Sequence, residues 1–191
     1  MNNIAIFASG SGSNAQNIIE HFYTNKDTCV KLVVCNKPDA YVLERARKLN
    51  VDAVVLNKEV LTGEDSSELI SLLKSYGIGF IVLAGYLLKI PQALISAFEE
   101  RIVNIHPALL PAYGGKGMYG RRVHEAVVAA GEQFSGITIH LVNAEYDKGK
   151  ILFQAKCPVL PTDTAEDVEA KIHLLEQEHF PAVIEKFISK Q

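Results

Sequence analysis

Residues 4–15 read IAIFASGSGSNA, an apolar run followed by a glycine-rich turn. The turn has the spacing Gly10-x-Gly12-x-x-Ala15, which matches the dinucleotide fingerprint G-x-G-x-x-G/A. A strand, a glycine turn and a helix start in succession predict the first β-α unit of an open parallel sheet. The N-terminus of such a helix attracts anions through backbone N–H groups that have no partner within the helix. The stretch therefore predicts the fold and leaves three uses open: a dinucleotide site, a site for one phosphate, or a tight turn that binds nothing.

The end of the second predicted strand argues against the dinucleotide. A dinucleotide site places an Asp or Glu about 20 residues further on, where it binds the ribose. Here that strand ends Val33-Val34-Cys35-Asn36, and the nearest carboxylate, Asp39, lies beyond a proline. A phosphate monoester therefore fits better, with hydroxyl donors from Ser11 and Ser13 and an amide from Asn14.

The rest of the chain alternates short apolar runs with amphipathic segments, as β-α-β units do. Strands are predicted at Asn3–Ala8, Lys31–Cys35, Ala53–Leu56, Gly79–Ala84, Ile102–Ile105, Gly136–Val142 and Ile151–Cys157. Helices are predicted at Ser13–Tyr23, Tyr41–Leu49, Glu64–Tyr76, Pro91–Phe98, Arg121–Ala130 and Thr164–Lys190. The last begins with a Thr164-x-x-Asp167 capping pattern and should be kinked or broken by Pro181. We expect a three-layer, Rossmann-like α/β fold, with a mostly parallel open sheet, helices on both faces and an added C-terminal strand pair.

Composition narrows the class of protein. The 191 residues predict a single domain spanning 1–191, and the net charge of −3 gives no support to a nucleic-acid partner. Three scattered cysteines form no C-x-x-C pair, which disfavours a zinc site and suits a reducing cytosol. The start of the chain does not resemble a signal peptide, and its apolar runs fall short of the ~18 residues of a membrane span. We expect a cytoplasmic protein with no metal and no membrane partner.

Polar residues mark the edge of the predicted sheet. Asn104 and His106 are two apart on one strand, so both side chains point to the same face at its C-terminal end. Asp147 lies between two later strands, where it could equally be an ordinary turn residue. An amide and an imidazolium can both donate to an oxyanion, and a carboxylate near the imidazole favours its protonated form. The set predicts acyl transfer to a substrate amine, whereas a satisfied core histidine is the plain alternative.

Five segments of the chain form a recognisable set: SGSGSN (9–14), VVCN (33–36), LAGYLLKIP (83–91), NIHPALLP (104–111) and YDKGKILFQAKCPV (146–159). Together they resemble the phosphoribosylglycinamide formyltransferase family. The resemblance runs from Ile4 to Phe187, and it implies the formyltransferase fold, with a nucleotide-binding N-terminal half and a catalytic, folate-binding C-terminal half. It also implies formyl transfer from 10-formyltetrahydrofolate to the amine of 5-phosphoribosylglycinamide, in the third step of purine synthesis.

The resemblance assigns a role to each matching residue. Asn104, His106 and Asp147 would be catalytic, with Asp147 keeping His106 charged and ordering a proton-relaying water. Gly12, Ser13 and Asn14 would bind the 5′-phosphate, and Glu176, with Glu178 as a less well aligned neighbour, would bind the ribose hydroxyls. The folate would contact Asn104 and two segments, whose residues are Tyr86, Leu87, Leu88, Lys89, Ile90, Val142, Asn143, Ala144, Glu145, Tyr146 and Asp147. A cis peptide before Pro111 is a further expectation.

Two departures from the family pattern stand out. The stretch Gly114–His124 is about three residues longer than is usual, and Leu88 occupies a position where arginine is frequent. Rival functions are a formyltetrahydrofolate deformylase, a methionyl-tRNA formyltransferase, a non-catalytic phosphate-binding module and an NAD-linked oxidoreductase. The tRNA enzyme would need a basic RNA-binding domain, and the oxidoreductase would need the missing carboxylate. The patterns leave open whether the protein is a monomer or a homodimer.

Overall fold

A computed structural model describes all 191 residues and begins with the strand formed by the opening apolar run. The strands are β1 (Asn2–Ala8), β2 (Thr28–Cys35), β3 (Asp52–Val55), β4 (Ile78–Leu83), β5 (Ile102–His106), β6 (Phe134–Leu141) and β7 (Ile151–Pro158). The helices are α1 (Ser13–Phe22), α2 (Tyr41–Lys48), α3 (Lys58–Thr62), α4 (Ser67–Ser75), α5 (Gln92–Ala97), α6 (Arg121–Ala129) and α7 (Ala165–Ile188).

The seven strands form one sheet in the order β3-β2-β1-β4-β5-β6-β7. β1 runs parallel to β2 and β4, and β2 runs parallel to β3, whereas β6 and β7 are antiparallel. This arrangement confirms the predicted mostly parallel α/β sheet with a C-terminal strand pair.

The chain divides into two compact units, Met1–Val103 and Asn104–Gln191. In the first unit the core is built on β1, whose residues from Ile4 to Ala8 are completely buried. In the second unit, Ile137 and Ile139 of β6 are buried, as are apolar residues of α7 such as Val168 and Phe180. That the whole chain acts as one domain stays a prediction.

The helices differ from the sequence-based predictions at three places. The short helix α3 was missed because it is a single turn, capped by the Asn57 side chain, which accepts from the Val60 N–H. α4 begins at Ser67, three residues later than predicted. Pro181 does not break α7, which runs unbroken for 24 residues. Phe180, Pro181 and Ile184 are buried in the core, and this apolar burial offsets the hydrogen bond that proline cannot donate.

Two local predictions are confirmed. Thr164 and Asp167 form a reciprocal capping box at the start of α7, in which each side chain accepts from the other residue's N–H. The peptide bond between Leu110 and Pro111 is cis.

Candidate active site

Asn104 and His106 lie at the C-terminal end of β5, and each side chain makes a hydrogen bond within the second unit. His106 is 4% exposed, and its Nε2 lies 2.8 Å from the carbonyl oxygen of Tyr113. A carbonyl can only accept a hydrogen bond, so Nε2 carries the proton. The other ring nitrogen, Nδ1, lies 3.8 Å from Oδ2 of Asp147. The backbone therefore selects the tautomer and leaves Nδ1 beside the carboxylate as the position that can gain a proton.

Asp147 is held in place by a main-chain donor and by its own turn. The Gly115 N–H donates to Oδ2 at 2.8 Å, and the Asp147 backbone has a left-handed φ of 55°, which aspartate tolerates better than most residues. Gly149, in the same turn, leaves no room for a side chain, because a Cβ there would lie 1.6 Å from the Leu141 carbonyl oxygen. The side chain of Asp147 is 14% exposed, so its charge acts through little water.

The surroundings of His106 and Asp147 shift the pKa values of both groups and bear on the predicted charge of His106. Burial lowers the pKa of His106 below its ordinary value and outweighs Asp147, which raises it together with the hydrogen bond to the Tyr113 carbonyl. Burial alone would raise the pKa of Asp147, but the neighbouring His140, the hydrogen bond from the Gly115 N–H and the neighbouring His106 lower it on balance. The lowered pKa of His106 favours a neutral imidazole beside an ionised carboxylate, whereas the predicted role of Asp147 is to keep His106 charged.

His140 on β6 joins the two sides of this cluster. Its Nδ1 lies 2.8 Å from the Leu141 carbonyl oxygen and so carries the proton, which leaves Nε2 to accept from Asn104 Nδ2 at 3.0 Å. The same Nε2 lies 3.6 Å from Oδ1 of Asp147. A carboxamide nitrogen has two N–H groups, so the contact with His140 orients Asn104 and occupies only one of its donors.

Sequence analysis missed His140, and it also missed Thr138 beneath the neighbouring turn. Thr138 Oγ1 donates to the Ala108 carbonyl at 2.7 Å and accepts from the Leu110 N–H at 3.0 Å, which ties the cis-proline segment to β6. Thr138 and His140 are two apart on a strand that is buried from Ser135 onward and otherwise carries one polar side chain, Ser135. That pattern is the same signal that pointed to Asn104 and His106, and it could have identified both residues.

The glycine turn lies in the first unit and is shaped for close backbone approach. Gly12 caps α1 with a φ of 77°, and a Cβ there would lie 2.5 Å from Val42 Cγ2. No side chain caps α1, and its first turn contains no acidic residue. The Arg45 Nε donates to the Ser11 carbonyl at 2.9 Å, which brings a positive charge to the turn. The helix N-terminus that contains Ser13 and Asn14 is thus suited to an anion.

The segment Tyr86–Ile90 is tied to the same turn. The Leu87 N–H donates to Ser9 Oγ at 3.1 Å, and the Tyr86 ring packs edge-on against Phe7, with ring centroids 5.4 Å apart. Burial raises the pKa of Tyr86, and its hydroxyl oxygen is buried without a hydrogen-bond partner. Lys89 and Ile90 line a cavity of about 440 Å³. In the first unit, the predicted phosphate-binding and folate-binding segments are therefore neighbours.

Two further predicted regions lie in the second unit. In the loop 142–147, Asn143 Oδ1 accepts from the Glu145 N–H at 3.0 Å, which shapes the approach to Asp147. Glu176 on α7 is 14% exposed, and its carboxylate lies 3.5 Å from His173 Nδ1. This contact raises the pKa of His173. Glu178 is 69% exposed, so the more enclosed Glu176 is the better placed of the two to bind a ligand.

Comparison with known proteins decides the family. Residues 2–184, nearly the whole chain, match the formyl transferase family. The chain belongs to the formyl transferase family. The resemblance inferred from the five segments is thereby confirmed.

The formyl transferase relatives carry consistent names. The chain is 46% identical over 182 residues to a chloroplastic phosphoribosylglycinamide formyltransferase of Arabidopsis thaliana, with 92% of this chain and 61% of the relative covered. It is 38% identical to the phosphoribosylglycinamide formyltransferase of Haemophilus influenzae, with 98% and 87% covered. The chain thus spans about three fifths of the length of the chloroplastic relative and most of the bacterial one.

Solved structures agree with the fold. The phosphoribosylglycinamide formyltransferase of Bacillus halodurans has a TM-score of 0.90 at 35% identity, with 99% of this chain and 96% of that chain covered. The corresponding protein of Streptococcus pneumoniae has a TM-score of 0.87 at 39% identity, with 98% and 99% covered. The formyltransferase fold expected from the resemblance is confirmed.

The structure lacks two features that would indicate other classes of protein. It contains no group of three or more His, Cys, Asp or Glu side chains arranged to hold a metal ion. None of its helices has the length and apolarity needed to cross a membrane.

Proposed function

We propose that this formyl transferase moves a formyl group from 10-formyltetrahydrofolate to the amine of 5-phosphoribosylglycinamide, the third step of purine synthesis. The products are formyl-phosphoribosylglycinamide and tetrahydrofolate. The observation that carries the proposal is the cluster of Asn104, the buried His106 and the partly exposed Asp147, joined through His140. The names of the relatives support the choice of substrates.

His106 has the geometry of a proton acceptor in this reaction. When the substrate amine attacks the formyl carbon, a C–N bond forms and the amine must lose a proton. The neutral imidazole can take that proton at Nδ1, where Asp147 stabilises the resulting imidazolium. The proton then passes to the folate nitrogen as the bond between that nitrogen and the formyl carbon breaks. A His106 side chain that is neutral before the reaction can accept the proton, whereas a permanently charged imidazolium could not.

Asn104 would stabilise the negative charge that develops on the formyl oxygen. One Nδ2–H is engaged by His140, which fixes the plane of the carboxamide, and the second can donate to the oxyanion. A donor already oriented in the resting protein does not have to reorganise during the reaction, and this is what makes such groups effective. His140 thus acts through Asn104 and Asp147.

Substrate binding is proposed for the remaining residues. Gly12, Ser13 and Asn14 would bind the 5′-phosphate, and Glu176 the ribose hydroxyls. The folate would contact Tyr86–Ile90 and the loop 142–147, as the resemblance implies. We propose a cytoplasmic enzyme acting on small molecules, as a monomer or homodimer, without a metal or a nucleic-acid partner. The three cysteines are free thiols.

The deciding experiment mixes the purified protein with 10-formyl-5,8-dideazafolate and 5-phosphoribosylglycinamide and follows the deformylated folate by absorbance. We expect turnover that depends on the amine substrate. Deformylation without the amine would indicate a hydrolase, and no turnover by folded protein would indicate a binding module.

A variant separates the phosphate site from the chemistry. Ser13→Asp places a negative charge at the start of α1 and should raise the KM for the ribonucleotide by about tenfold or more through repulsion of its phosphate. The KM for the folate should change little. Equal effects on both KM values would contradict the proposed phosphate site.

A further inference from the structure

We propose that Tyr113 and Glu132 are positioning residues, whose mutual hydrogen bond holds the main chain of residues 113–115 against His106 and Asp147. The catalytic meaning of this inference rests on the proposed function, but the contacts themselves do not. Neither residue belongs to the predicted site, and neither contacts the reacting groups through its side chain.

The segment 113–115 reaches both candidate catalytic side chains through backbone atoms. The Tyr113 carbonyl accepts from His106 Nε2 at 2.8 Å, and the Gly115 N–H donates to Asp147 Oδ2 at 2.8 Å. Gly114, between them, lies so close to Leu110 that a Cβ would be 2.5 Å from Leu110 Cδ2. One short stretch of backbone therefore determines the tautomer of the imidazole and the orientation of the carboxylate together.

This stretch needs an external anchor, because its first residue is strained. Tyr113 has a φ of 54°, a left-handed conformation that residues with a Cβ rarely adopt. Relaxation of that φ would turn the Tyr113 peptide and move its carbonyl away from His106. Something outside the segment must therefore hold the residue in place.

The Tyr113 side chain supplies that anchor. Its hydroxyl donates to Glu132 Oε1 at 2.7 Å, and this hydrogen bond is the main cause of the raised pKa of Tyr113. The ring lines a cavity of about 90 Å³ together with Leu109, Val127 and Phe134. Because the ring faces open space on that side, packing alone does not fix its position, and the hydroxyl contact determines where the residue sits.

Glu132 is itself held by the turn between α6 and β6. Its N–H donates to the Val127 carbonyl at 3.3 Å, and the preceding Gly131 has a φ of 65°, which glycine adopts without strain. The anchor thus connects the catalytic backbone segment to the end of a helix in the same unit.

The test compares Tyr113→Phe, Glu132→Leu, which removes the acceptor of the Tyr113 hydroxyl, and the double variant, with Tyr119→Phe as the matched control. Tyr119 lies in the same loop and stacks on Arg122, with the guanidinium carbon 5.2 Å from the ring centroid, and Tyr119→Phe keeps that ring. We expect each single variant to lower kcat by about five- to tenfold, the effect of losing one hydrogen bond, with both KM values within about twofold. The double variant should be no worse than either single variant, because both remove the same contact. The control should keep the wild-type kcat.

A second readout does not depend on turnover. In ¹⁵N-labelled protein, the imidazole shifts of His106 report which ring nitrogen carries the proton, and we expect the Nε2–H form to lose population in Tyr113→Phe. Unchanged shifts in that variant, a wild-type kcat, or additive losses in the double variant would each overturn the inference. If the wild-type protein does not transfer formyl groups, the proposed function fails, and the His106 shifts alone still decide whether Tyr113 positions the imidazole.

Discussion

Replacing Asp147 by asparagine removes one charge from the candidate site while keeping its shape. The amide oxygen of asparagine can still accept from the Gly115 N–H, so the local fold should persist. The lost quantity is the attraction between the carboxylate and a proton arriving on His106 Nδ1. At the 3.8 Å separation seen here, and with an effective dielectric constant of about 20, that attraction is about 4 kcal/mol.

This energy sets the expected effect on rate. Each ~1.4 kcal/mol of lost transition-state stabilisation lowers the rate tenfold, so a complete proton transfer to His106 would make the loss roughly 10³-fold. Because the proton is only partly transferred in the transition state, we expect Asp147→Asn to lower kcat by about 10²- to 10³-fold, with KM values little changed.

The measurement is steady-state turnover with saturating folate analogue and ribonucleotide, together with the free energy of unfolding in urea. Asp163→Asn is the matched control, since Asp163 is equally enclosed, with an 8% exposed side chain, but pairs with Lys171 instead of a histidine. The control should lose stability and keep kcat. A kcat for Asp147→Asn within about fivefold of wild type, in folded protein, would refute the proton-relay reasoning.

Three further predictions concern stability. Gly12→Ala should lower the free energy of unfolding in urea by about 2–4 kcal/mol, because the new Cβ meets Val42 in a left-handed backbone; an unchanged value would contradict that packing. Thr138→Val should cost about 1–3 kcal/mol, measured the same way, since the Leu110 N–H loses its acceptor; a neutral effect would imply another acceptor. The lowered pKa of His106 means that the unfolded chain gains a proton first as pH falls below about 6.5. Stability should therefore fall below that pH in wild type and less in His106→Asn, and parallel pH profiles would contradict it.

Local patterns were sufficient to predict most of the architecture. The alternation of apolar runs and amphipathic segments located all seven strands, and Thr164 and Asp167 marked the start of α7, because caps and periodicity are properties of neighbouring residues. The same reasoning placed Asn104 and His106 together, since residues two apart on a strand share a face. The absence of a carboxylate after β2 likewise argued against a dinucleotide site, and this could be seen before the fold was known.

The state of the site depended on contacts between residues far apart in the chain. The pKa of His106 is lowered because surrounding segments exclude water from it, and desolvation cannot be read from neighbouring residues. His140 contacts Asn104 only because β6 lies beside β5, and Tyr113 reaches His106 only through a strained backbone turn. Pro181 stays helical because its surroundings bury it. The order of residues thus specified the chemical groups and their local geometry. Packing set the protonation, the partners and the orientation of those groups, because these three properties depend on the dielectric environment and on long-range contacts.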